Sequence, residues 1–145
     1  MTRLITNELG CETFLLVAST GIDALNIEGK TVHYVFCIPK DTKSFDDLKG
    51  ESARNFINQI SKVKFIILDE YSLVGSNLLA MIDKRCRQAS GVLDEDFGGM
   101  YVYMLGDIRQ LPPIMDIPLC SSKQKSLSQH GKAKFDNFDA TFFLY

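Results

Sequence analysis

Short, nearly unbroken apolar runs alternate along this chain with stretches whose apolar residues recur every three or four positions. Thr13 to Ala18 (T-F-L-L-V-A) reads as a strand covered on both faces, and Val63 to Leu68 as a second. A third runs from Met100 to Leu105, just after the punctuation of Phe97-Gly98-Gly99. Between them, Gly21 to Ile27 predicts a short helix, followed by a turn at Asn26-Ile27-Glu28-Gly29. Glu51 to Ile60 carries Phe56, Ile57 and Ile60 on one helical face, and Leu78 to Gln88 is a further amphipathic helix. Strands that alternate with helices favour a parallel α/β sheet. After Pro113 the pattern fades. Residues 115–140, and Ser121 to Lys134 above all, are expected to form a mobile basic loop. Thr141 to Tyr145 resembles a final strand cut short. At the other end, Leu4 to Leu9 resembles the tail of a helix closed by Gly10. A domain seldom opens in mid-helix, so the boundary is expected to be arbitrary.

Length and composition change this picture little. With 145 residues, 46% hydrophobic and 23% charged, the chain matches one folded domain. The longest apolar runs, Phe14 to Ala18 and Phe65 to Leu68, are far too short to span a bilayer. Met1 to Gly10 holds charged and polar residues throughout, with no signal-peptide core. Cys11, Cys37, Cys86 and Cys120 form no C-x-x-C pair, so reduced thiols in an intracellular protein are expected. The net charge of −2 argues against a protein that coats nucleic acid by charge alone. It leaves room for local contacts to one strand.

Two segments carry chemistry. Phe65-Ile66-Ile67-Leu68-Asp69-Glu70 is an apolar strand ending in two carboxylates, at the end of a parallel sheet where ligands bind. One acid can hold Mg²⁺ beside phosphates, and the other can deprotonate an attacking water. Alone this signal is weak, because acids that cap a following helix are common. Gly106-Asp107-Ile108-Arg109-Gln110-Leu111-Pro112-Pro113 follows the third strand. Gln110 there has a donor and an acceptor suited to a phosphate oxygen or a water. At average usage, six fixed positions of G-D-x-x-Q-L-P-P arise by chance on the order of 10⁻⁸ times per start position.

L-D-E at Leu68 to Glu70, this second motif, and A-S-T-G-I at Ala18 to Ile22 occur in the order seen in superfamily-one DNA helicases. The chain most resembles the petite-integration-frequency (PIF-type) helicases, relatives of the RecD and Helitron helicases. Asn26-Ile27 with Gly29, Thr31-Val32-His33, Phe36 and Phe97-Gly98-Gly99 add to the likeness. The resemblance implies a RecA-like domain spanning residues 1–145 in part, ATP and Mg²⁺ as cofactors, and 5′-to-3′ unwinding of DNA. Repair, recombination or telomere maintenance would be its setting, in the nucleus or mitochondrion of a eukaryote. Its partners would be single-stranded DNA and duplex junctions, with no membrane. Asp69 resembles the Mg²⁺-associated acid, Glu70 the catalytic base and Gln110 the γ-phosphate sensor, with Asp107 beside them at the nucleotide. Ser19, Thr20 and Gly21 resemble the element that contacts the single strand, and His33 falls in a second such element or is a structural histidine.

Asp23 and Tyr34 depart from the family pattern, which has a small apolar residue and a serine there. The sequence also contains no G-x-x-x-x-G-K-[ST] phosphate loop. Gly29-Lys30-Thr31 is a near miss, since Ala24 stands where the first glycine is required. The expectation is therefore an incomplete motor domain, lacking the phosphate-loop strand, that binds ATP poorly by itself. Two other readings stay open: a catalytically dead remnant of such a helicase, and a metal-dependent nuclease using the same acids.

Overall fold

The structure, a computed structural model, describes residues 13–39, 45–107 and 109–143. The expected helix tail at Leu4 to Leu9 lies outside the described residues. Four strands form one sheet in the order β2-β1-β3-β4, with every neighbouring pair parallel: β1 (Phe14–Ala18), β2 (Lys30–Thr31), β3 (Phe65–Asp69) and β4 (Tyr101–Met104). Helix α1 (Gly21–Asn26) joins β1 to β2, and the single turn α2 (Val32–Val35) follows at once. The longer α3 (Gly50–Ile60) and α4 (Ser76–Ser90) flank β3 in sequence, and α5 (Leu127–Asp136) comes last.

The apolar pattern accounts for this arrangement. Ile66 and Leu68 alternate along β3 and are wholly buried, as is Val17 of β1. Phe56 and Ile60 seal the inner face of α3, and Leu79, Ile82 and Cys86 that of α4. Gly91, at φ 75°, stops α4 in the left-handed conformation that favours glycine. The start of α4 has no cap of its own. Asp116, about forty residues on, accepts from the Asn77 and Leu78 backbone N–H groups at 3.1 and 3.0 Å. Arg85 is buried too, and reaches the Phe36 and Asp46 carbonyls at 3.1 and 3.0 Å.

Residues 115–140 are not the expected loop. Asp116 caps α4, Leu119 is buried, and α5 packs along α4. Gly131 permits that approach, since a methyl group there would overlap the Ser76 carbonyl. Leu127 and Phe135 lie against the core, while His130 and Lys134 meet carboxylates of neighbouring elements. The sequence read as a solvated loop because His130 and Lys134 find their carboxylate partners far away along the chain. Nor do residues 141–143 form a strand; Phe142 and Phe143 are exposed.

Candidate active site and nucleic-acid face

Parallel pairing brings three chain segments together at the carboxyl end of the sheet. Ala18 pairs with Asp69, and Leu68 with Met104. Ser19 to Gly21, Glu70, and Leu105 to Asp107 therefore leave neighbouring strands side by side. The Leu105 N–H donates to the Leu68 carbonyl at 2.8 Å, and the Tyr71 N–H returns to the Leu105 carbonyl at 2.9 Å. Ser19 Oγ lies 3.4 Å from the Glu70 carbonyl, to which it donates. At Gly106, a Cβ would sit 3.0 Å from the Tyr71 nitrogen, so the close crossing of the two loops requires glycine.

The two acids occupy different backbone states. Asp69 is the last residue of β3 and is half-buried. Glu70 is left-handed, at φ 55° and ψ 52°, a conformation a non-glycine residue holds at a cost of about 1–3 kcal/mol. Such strain is retained where surrounding contacts fix it. Here the Ser72 hydroxyl donates to Glu70 Oε1 at 2.7 Å. Ser72 escaped the sequence reading; a serine two residues past the paired acids was the only available signal.

Asp107 turns onto its own loop. Its Oδ1 accepts from the Arg109 backbone N–H at 2.9 Å and from Arg109 Nε at 3.3 Å. Those two hydrogen bonds, the backbone one foremost, hold its carboxyl below the usual range. The Gln110 N–H donates to the Asp107 carbonyl at 3.0 Å, closing the turn, and Gln110 itself is exposed. Its side chain lines a cleft of about 70 Å³ together with Tyr71 and Ser72. Gln110 is thus brought beside the serine that positions Glu70. A cleft of about 440 Å³ lies at the opposite, amino end of the strands, between Lys64 and Tyr101, away from every one of these residues.

Thr20 caps α1, accepting from the Asp23 N–H at 3.2 Å, and its hydroxyl also lies 2.5 Å from Asp23 Oδ2. The departure at Asp23 therefore has a local role. Its backbone N–H donates to the Thr20 hydroxyl, and its carboxylate accepts from that same hydroxyl. His33, half-exposed, sits on α2 beyond Thr31, which pairs with Ala18. It shares the carboxyl end of the sheet with Ser19 to Gly21, but β1 separates its strand from that of Glu70. Lys30 and Thr31 form β2 itself, and helix α1 precedes them. A phosphate loop follows a strand, so Gly29-Lys30-Thr31 lacks that setting.

Comparison with known proteins agrees with this geometry. The ATP-dependent DNA helicase RRM3 of Saccharomyces cerevisiae is 33% identical over 114 residues, which cover 77% of this chain and 16% of that protein. The crystal structure of Bacteroides Pif1 bound to ssDNA superposes with a TM-score of 0.66 at 31% identity, covering 97% of this chain and 30% of that one. The complex of Bacteroides Pif1 with ADP-AlF3 and ssDNA gives a TM-score of 0.63 at 32% identity, covering 90% and 28%. The chain thus spans about a sixth of the length of its curated relative and under a third of these structures. Its parallel sheet is the RecA-like one expected. Residues 1–133 match the PIF1-like helicase model, and the chain belongs to that family.

Proposed function

We propose that this chain supplies the water-activating and strand-contacting part of an ATP-dependent DNA helicase motor. The observation that carries the reading is the junction at the carboxyl end of the sheet. There Ser19, of the segment assigned to single-stranded DNA, donates to the main chain of Glu70, the assigned base. A nucleotide-driven movement of one segment is felt by the other through that contact and through the Leu105–Tyr71 crossing.

Magnesium takes one or two carboxylates and leaves its other positions to water and phosphate. Asp69, fixed at a strand end with Glu70 next to it, fits that donor set. Among the described residues no denser cluster of His, Cys, Asp and Glu competes for a metal. When bound there, Mg²⁺ would neutralise charge gathering on the phosphates. Glu70, held by Ser72, takes the proton of the attacking water. Gln110 reads the γ-phosphate from the adjoining loop, and its cleft shared with Ser72 links it to the base. Asp107 holds the turn that presents Gln110, through its main-chain carbonyl. Ser19, Thr20, Gly21 and His33 meet the single strand, chiefly at phosphates. The relatives bound to ssDNA and to ADP-AlF3 support both halves of this assignment.

The test inserts this chain in place of the matching segment of Bacteroides Pif1, so that the rest of that helicase provides the phosphate loop and the second motor domain. The chimera is expected to hydrolyse ATP. Glu70→Gln should lower its turnover by about 10²-fold or more while nucleotide affinity stays the same. Turnover retained in that variant removes Glu70 from the role. A chimera that is folded and binds ATP but never turns over supports the remnant reading instead.

A further inference from the structure

We propose that Tyr34, with Lys30 beside it, forms a stacking platform for a nucleobase at the β2 edge of the sheet. This extends the DNA assignment above and rests on it. Tyr34 is 69% exposed, and the Lys30 ammonium stands 5.8 Å from its ring centroid. The ring has a firm mounting. Val32, Val35 and Phe36 around it are wholly buried, and the Tyr34 N–H donates to Thr31 Oγ1 at 3.4 Å. Its position is set by register: Thr31 pairs with Ala18, so α2 and the Ser19 to Gly21 segment leave adjacent strands at the same end of the sheet. A strand held at Ser19 passes within reach of this ring.

The chemistry of the surface favours a base over a further phosphate. The chain's net charge is −2, and the Asp23 carboxylate occupies the Thr20 hydroxyl, so phosphate attraction here is weak. Stacking on an exposed aromatic ring does not depend on charge and accepts any base. With the Lys30 ammonium over one face of the ring, the base stacks on the other, and the cation offers one contact to the neighbouring phosphate. Tyr34 thus supplies a contact that does not depend on the Thr20 hydroxyl held by Asp23.

The experiment measures the affinity of the 145-residue chain for a fluorescein-labelled oligo(dT) by anisotropy, in parallel with an oligonucleotide carrying abasic sites. Tyr34→Ala should weaken oligo(dT) binding about fivefold or more, and Tyr34→Phe should stay within about twofold of the parent. On the abasic strand, Tyr34→Ala and the parent should bind alike. Irradiation of a 5-iodouracil oligonucleotide bound to the parent should attach it to the Tyr34 peptide. If the parent binds oligo(dT) and folded Tyr34→Ala binds it equally well, the platform is overturned and the DNA assignment stands. Equal losses on intact and abasic strands also overturn it. If the parent binds neither strand, the DNA assignment of this face falls and the platform with it.

Discussion

The molecule holds two acidic sites built on opposite principles. Asp83, in the middle of α4, is wholly buried and fully engaged: Phe97 N–H at 2.7 Å, Arg87 Nε at 2.8 Å and His130 Nε2 at 2.9 Å surround its carboxylate. Arg87 continues to Asp96, which also meets Lys134 and Asn137, so four charges and an imidazole tie α4, the Asp96–Gly99 turn and α5 together. Asp69 and Glu70 are half-buried, at a strand end open to ligands, and Glu70 has one side-chain partner on a strained backbone. A carboxylate whose hydrogen bonds are saturated inside the protein holds elements together. One left short of partners, and held in place at a cost, is available for a ligand.

Removing Asp83 is the largest way to break this comparison. Asp83→Ala should destabilise the chain by about 3–5 kcal/mol, because it leaves the buried Phe97 N–H without its acceptor and takes from Arg87 and His130 the carboxylate they share. Urea unfolding at neutral pH measures it. A loss under about 1 kcal/mol would mean that water satisfies the network and that α5 is held by its apolar contacts alone.

Glu70→Gly sharpens the other side. It relieves the left-handed strain, forfeits the Ser72 hydrogen bond, and adds backbone freedom to the unfolded chain. These effects oppose one another, so stability should change by no more than about 1 kcal/mol. The same unfolding curves decide it. A loss above about 2 kcal/mol would make Glu70 a structural acid like Asp83 and undercut its assignment as base.

The two sites were also unequally legible in the sequence. Asp69, Glu70 and the turn around Gly106 stood out because each follows an apolar strand, and parallel pairing fixes where such strands end. The three strands and the longer helices emerged for the same reason, from the period of their buried positions. Asp83 did not stand out: a charge within an amphipathic helix reads as solvated until its partners are known. One of those partners, His130, lies some fifty residues on in a polar stretch that predicted a loop, as does Lys134, which meets Asp96. Ser72 and Asp116 were hidden alike. Each matters through side-chain contacts that composition and periodicity do not encode.

Acid should separate the sites by a smaller effect. Desolvation raises the Asp96 carboxyl, but hydrogen bonds from Asn137 and Lys134 and the charges of Lys134 and Arg87 outweigh it, leaving it below its ordinary value of 3.8. A depressed folded-state value means that the unfolded chain binds the proton first as pH falls. The stabilisation is thus complete above the ordinary aspartate range and is lost as pH drops through the folded-state value. Partial exposure of this carboxylate keeps the effect modest. The stability advantage of the parent over Asp96→Asn should accordingly be constant from pH 7 to about pH 5 and shrink below about pH 4. Urea midpoints of the two proteins across that range test the sign. An advantage that grows on acidification would show that the Asp96 carboxyl is raised by burial and not held down by Lys134 and Arg87. The ion pairs at Asp96 would then add nothing to the joint that His130 and Asp83 make between α5 and α4.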